Sequence, residues 1–176
     1  FGRGPADTTE CTLALGAEML VLGGVAASPA GACPRLQRAV ADGSGARALE
    51  RMIEARGGDP GVVADPSKLP RAPATVEVPA PRGGWVQGID ALELGLCGVA
   101  MGAGRTRADQ AVDHGVGIDL CAKPGARVEA GDPLATVTLR KRDEDLIARV
   151  AAAFTVGDER PEIVPLVAAR IDAESA

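Results

Sequence analysis

The sequence predicts an α/β chain of the α+β kind, built in two parts. Three observations carry that prediction. Across residues 1–58 the apolar side chains recur at helical spacing. Across residues 74–140 short alternating segments rich in β-branched residues are separated by glycine and proline turns. Between them, residues 59–73 carry Pro60, Pro66, Pro70 and Pro73. Each proline turns the residue before it away from helix, so this stretch reads as an extended connector.

The first helix is expected to begin just after Gly4-Pro5. Proline suits a first turn, and Asp7 lies where an acid favours the positive helix end. Residues 12–22 are apolar on nearly every side, with only Glu18 interrupting, and Gly23-Gly24 ends them. Such a helix needs neighbours on several faces. A second helix is expected over residues 30–40, with Cys33, Leu36 and Val40 on one face. The turn residues 42–45 lead into a third over residues 46–56, where Leu49, Met52 and Ile53 share a face. Two one-faced helices cannot surround the first, so the first helix is expected to pack partly on something outside this chain.

The second part opens with alternating residues 74–78, a turn over residues 79–84, and a second strand over residues 85–89. Asp90 is placed to cap a helix running to Met101, which Gly102-Ala103-Gly104-Arg105 closes. Residues 115–122 read as a strand, Lys123-Pro124-Gly125 as a turn, and Arg127-Val128 as extended. After the turn at residues 130–133, residues 134–139 form a β-branched strand. A helix is expected from Asp143 to about Phe154, and residues 163–168 could add an edge strand.

Composition narrows the function classes. Hydrophobic residues make up 46% and charged residues 24%, as in globular domains. The 19 basic and 24 acidic residues leave a net charge of -5, which argues against nucleic acid as a partner. The densest basic cluster, Arg140-Lys141-Arg142, is followed at once by Asp143, Glu144 and Asp145 and reads as a solvated helix start. Cys11, Cys33, Cys97 and Cys121 lie far apart, and His114 is the single histidine. That spacing disfavours a metal clip; four cysteines could form two disulfides, but their apolar contexts favour buried free thiols. No apolar run approaches the length of a membrane span, and no signal peptide opens the chain, so a reduced cytoplasmic protein is expected. Phe1 stands where an initiator methionine would, so either a processed chain or one piece of a longer protein is expected.

Four features invite a chemical reading, and each has a structural alternative. Gly102-Ala103-Gly104-Arg105 could cradle a phosphate, but these glycines close a helix, where the dipole is negative; a helix C-cap is the preferred reading. Asp113-His114 could be a base pair for proton transfer, yet no nucleophile has a spacing that fixes it nearby; a turn histidine is preferred. Trp85 could stack on a base, but its place in an alternating strand favours core packing. The cysteines read as small hydrophobes. The residues alone therefore nominate no catalytic, cofactor-binding or metal-binding side chain.

Two resemblances add to this reading. Residues 78–89 and 117–137 each resemble half of a biotinyl or lipoyl carrier fold, the second through the phrase Gly125-Ala126-Arg127-Val128-Glu129-Ala130-Gly131-Asp132-Pro133-Leu134. No lysine between two methionines offers an attachment point, so the architecture is present without the carrier function. Across nearly the whole chain to about residue 139, four ordered stretches resemble the pyrimidine nucleoside phosphorylase family, thymidine phosphorylase type. They are Gly4-Pro5-Ala6-Asp7 with residues 13–20, Gly57-Gly58-Asp59-Pro60 with residues 63–72, Gly102-Ala103-Gly104-Arg105 with residues 113–118, and residues 125–134. Thr8-Thr9 and residues 120–123 depart from the family pattern, and nothing after Phe154 matches it.

The resemblance implies phosphorolysis of pyrimidine nucleosides to base and (deoxy)ribose 1-phosphate, with phosphate as co-substrate and no cofactor. It implies that residues 1–58 belong to the back of the large α/β domain and that residues 74–176 form a C-terminal α/β-hammerhead-like domain related to the barrel-sandwich hybrid. The family's phosphate loop, catalytic histidine and base contacts find no counterpart here, so the segment is expected to be scaffold, inactive alone and monomeric alone, within a parent that is a homodimer. The alternative is a stand-alone binding or interaction module derived from that fold.

Overall fold

A computed structural model describes residues 2 and 4–171. Those residues form five α-helices, two 3-10 turns and six strands. They divide into two compact units: residues up to Lys68 together with those from Val164, and Leu69–Ile163.

In the first unit, α1 spans Ala6–Leu22, α2 Pro29–Ala41 and α3 Ser44–Ala55. Gly24, at φ +69°, closes α1, and the Val25 N–H reaches back to the Leu20 carbonyl at 2.8 Å. Ser28 caps α2 by accepting from the Gly31 N–H at 3.2 Å, with Pro29 supplying the first turn. The two helices meet through small residues. Ala17 and Ala32 are buried, and a Cβ on Gly16 would stand only 3.0 Å from Leu36 Cδ1. The connector is not extended throughout: Pro60–Val62 and Pro66–Lys68 are 3-10 turns. The fixed φ of proline suits a first helical position as well as an extended one, and Asp59 selects the turn by accepting from the Gly61 N–H at 2.8 Å.

The second unit contains two antiparallel sheets. Strands β1 (Ala74–Pro79), β5 (Pro133–Leu139) and β3 (Gly117–Leu120) form one, in the order β1-β5-β3. Strands β4 (Arg127–Val128), β2 (Gly84–Ile89) and β6 (Phe154–Gly157) form the other, in the order β4-β2-β6. Helices α4 (Ala91–Met101) and α5 (Glu144–Ala152) complete the unit. Aspartates cap both: Asp90 accepts from the Glu93 N–H at 3.0 Å and Asp143 from the Leu146 N–H at 3.1 Å. The core joins Val78, Leu134 and Val137 of one sheet, Val86, Val128 and Phe154 of the other, Cys97 of α4, and Leu146 and Val150 of α5. At the β2–β6 pairing a Cβ on Gly84 would stand 2.5 Å from the Gly157 carbonyl oxygen, at φ +152°, so only glycine fits.

Three elements differ from the sequence expectation. Strand β3 is shorter, because the N–H groups of Cys121 and Ala122 both turn to the Leu134 carbonyl and leave the ladder. Helix α5 stops at Ala152, and Phe154 opens β6, whose Ile89–Phe154 and Val86–Val156 pairs bind it to β2. Residues 163–168 form no strand, and those from Val164 group with the helices.

Candidate functional site

Gly102 adopts φ +101° at the end of α4. Its N–H bonds to the Val99 carbonyl at 3.0 Å, and the Ala103 N–H bonds to the Gly98 carbonyl at 2.9 Å. Both amides are thus engaged by the helix they terminate and cannot cradle an anion. Gly104 lies against Val99, and the Arg105 guanidinium donates to the Ala108 carbonyl at 3.2 Å. The stretch is a C-cap.

The loop it opens is closed by Asp113, whose N–H bonds to the Gly102 carbonyl at 2.8 Å. The Asp113 carboxylate takes both Arg140 guanidinium bonds, at 2.6 and 2.8 Å, and the Gly115 N–H at 2.9 Å. The Arg140 hydrogen bond, reinforced by the Gly115 amide, lowers the Asp113 pKa to about 2. His114 is exposed beside this clamp. The carboxylate that a catalytic Asp–His pair would need is held by Arg140 instead. A Cβ on Gly115 would approach the Arg140 guanidinium to 2.8 Å and the Ala72 amide nitrogen to 3.1 Å. The clamp therefore joins the end of β5, the loop before β3 and the start of the unit. The sequence read Arg140 only as part of a solvated basic cluster, because its partner Asp113 lies 27 residues away and no local pattern links them.

Trp85 corrects the core expectation. Its neighbour Val86 is the fully buried residue, so Trp85 faces the other side of β2, half-buried. Its ring lies beneath the guanidinium groups of Arg127 at 5.8 Å and Arg160 at 5.3 Å. Both cations stand where a stacking base would need access. The four cysteines are free, but only Cys97 is buried; Cys11 and Cys33 are half-buried and Cys121 is exposed. Burial pushes the Cys97 thiol pKa up, so it is not an activated nucleophile. Among the described residues no group of three or more His, Cys, Asp or Glu side chains could hold a metal ion. Among the described residues no helix is long and apolar enough to cross a membrane.

The prominent surface feature is apolar. Leu15, Met19 and Leu22 lie on α1 at i, i+4 and i+7, exposed to 63, 71 and 87%. Together with Val167, Ala169, Arg170 and Ile171, residues of α1 wall an open hollow of about 590 Å³. Glu18 and Arg170 are paired across it at 2.8 Å. The face that the sequence expected to pack partly on something outside this chain thus stays largely exposed among the described residues.

Comparison with known proteins decides the family. A model described as the pyrimidine nucleoside phosphorylase C-terminal domain matches residues 85–157. The thymidine phosphorylase of Burkholderia cenocepacia (strain HI2424) is 42% identical over 172 residues, 96% of this chain and 39% of that protein. The chain matches the C-terminal part of the pyrimidine nucleoside phosphorylase family. A pyrimidine-nucleoside phosphorylase of Bacillus subtilis (strain 168) is 37% identical over 150 residues, 85% of this chain and 35% of the relative. One from Staphylococcus aureus (strain USA300) is 32% identical over 158 residues, 89% and 36% respectively. The chain thus spans well under half the length of the phosphorylases it matches, and what it matches is their C-terminal part.

Proposed function

We propose that this chain is the scaffold-forming C-terminal portion of a pyrimidine nucleoside phosphorylase. The parent cleaves thymidine, deoxyuridine or uridine with phosphate, giving the free base and a (deoxy)ribose 1-phosphate, in the cytoplasm and as a homodimer. Phosphate is its co-substrate, and neither a cofactor nor nucleic acid takes part. The observation that carries the reading is 42% identity over nearly the entire chain. It comes with an apolar α1 stripe, Leu15, Met19 and Leu22, that stays largely exposed. Residues 1–58 would then belong to the large α/β domain, with Leu15, Met19 and Leu22 packed against its remaining elements. The sheet-bearing unit would be the hammerhead-like domain related to the barrel-sandwich hybrid, a reading supported by its two small antiparallel sheets.

Phosphorolysis needs phosphate positioned against the anomeric carbon and charge stabilised on the departing base. In this reading the groups that do this lie elsewhere in the parent, and this chain supports them; the engaged Gly102 and Ala103 amides and the Arg140-held Asp113 carboxylate are in keeping with that. The test is a chimera joining the N-terminal part of the Burkholderia cenocepacia phosphorylase to this chain. Phosphate-dependent thymine release is expected from the folded chimera and not from the chain alone. Turnover by the chain alone, or a folded, nucleoside-binding chimera without turnover, would refute the scaffold assignment.

A further inference from the structure

The chain leaves the helical unit after Lys68 and returns to it at Val164. What it returns to is the outer face of α1. Val167, Ala169 and Ile171 line one side of the hollow whose other side is Ala14, Leu15 and Leu22. At its centre the Arg170 guanidinium reaches Glu18 with both carboxylate oxygens, Nε to Oε1 at 2.8 Å and a terminal nitrogen to Oε2 at 3.4 Å. These partners are 152 residues apart, so the pair is a tertiary fastening and not a local helix contact. Among the described residues the pair is a long-range polar tie between this segment and α1. The tail forms no helix or strand, and no backbone hydrogen bond within the described set ties residues 164–171 to another segment. Its apolar side chains stay largely exposed, Val164 at 75% and Ile171 at 82%.

We propose that residues 164–171 form a releasable strap over α1, latched by the Arg170–Glu18 ion pair. The latch is half-exposed, with the two side chains 51 and 38% accessible. Exposed pairs of this kind hold weakly, so the strap opens readily and frees residues 164–171 from the wall formed by Ala14, Leu15 and Leu22, of which Leu15 and Leu22 are already largely exposed. The inference concerns this chain alone and does not depend on the phosphorylase reading.

Limited elastase digestion of the intact 176-residue chain tests it, because cleavage at the small apolar sites of the tail tracks the population of the open strap. The substitutions Glu18→Arg and Arg170→Glu are each expected to raise the cleavage rate within residues 164–171 by about 2- to 5-fold, the range for an exposed pair. Cleavage elsewhere in the chain should stay at the wild-type rate. The double reversal, Glu18→Arg with Arg170→Glu, should return tail cleavage to near the wild-type rate. Single variants that cut at the wild-type rate would overturn the latch. So would a double variant that cuts as fast as the singles, or acceleration spread over the whole chain.

Discussion

Leu134 is the most exacting test of the core described for the sheet-bearing unit. Strand β1 advances from Val78 to Pro79 while β5 steps from Ala135 to Pro133, which leaves Leu134 as the extra residue of a bulge. Its carbonyl accepts from the Cys121 and Ala122 N–H groups, at 2.9 and 3.1 Å, so its backbone cannot readily shift. Its side chain is wholly buried. The substitution Leu134→Ala removes three carbons from that site. Lost burial costs about 0.8 kcal/mol for each, roughly 2.4 kcal/mol in all. A pinned backbone limits collapse around the void, so a cavity contribution brings the expected loss to about 3–4 kcal/mol. Urea denaturation followed by circular dichroism measures it. With a slope of about 2 kcal/mol/M, the midpoint should fall by about 1.5–2 M. The control is Leu15→Ala on α1, where a side chain 63% exposed leaves little burial to lose; a change of about 0.5 kcal/mol or less is expected. A loss below about 1 kcal/mol for Leu134→Ala, with the slope unchanged, would refute the packed bulge.

Two further outcomes follow from the local electrostatics. Asp113 has its folded pKa lowered to about 2, below its ordinary value of 3.8. Its contribution to stability is therefore complete above about pH 4 and is lost as pH falls from there towards 2. Thermal scans should show this acid-side loss reduced in Asp113→Asn, and an unchanged profile would count against the Arg140 clamp. Cysteine reactivity should follow exposure and thiol pKa: alkylation at pH 8 followed by mass spectrometry should modify Cys121 first and Cys97 last. Early labelling of Cys97 in the folded protein would contradict its burial.

The residues legible in the sequence are those whose signal is local. Asp90 and Asp143 announce helix starts because their carboxylates bond amides three residues ahead. Gly102 announces an end because a left-handed φ is cheap only for glycine. The elements that escaped depend on distant partners. Phe154-Thr155-Val156 has strand chemistry, but it follows a helical pattern without a breaker, and only pairing with β2, about 65 residues away, makes it a strand. Trp85 and Val86 are adjacent in an alternating run in which both are apolar, so a shift of one residue exchanges inside and outside. Local pattern cannot fix that phase; the core against α4 and α5 does. The candidate site was legible in a different sense. A helix apolar on nearly all sides announced a missing cover, and the exposed Leu15, Met19 and Leu22 are the residues it left bare. Three of the features that invited a chemical reading are engaged structurally: the Gly102 and Ala103 amides by α4, the Asp113 carboxylate by Arg140, and the Trp85 ring by two guanidinium groups. With those groups held by the fold, the role proposed for this segment is to position a neighbouring half.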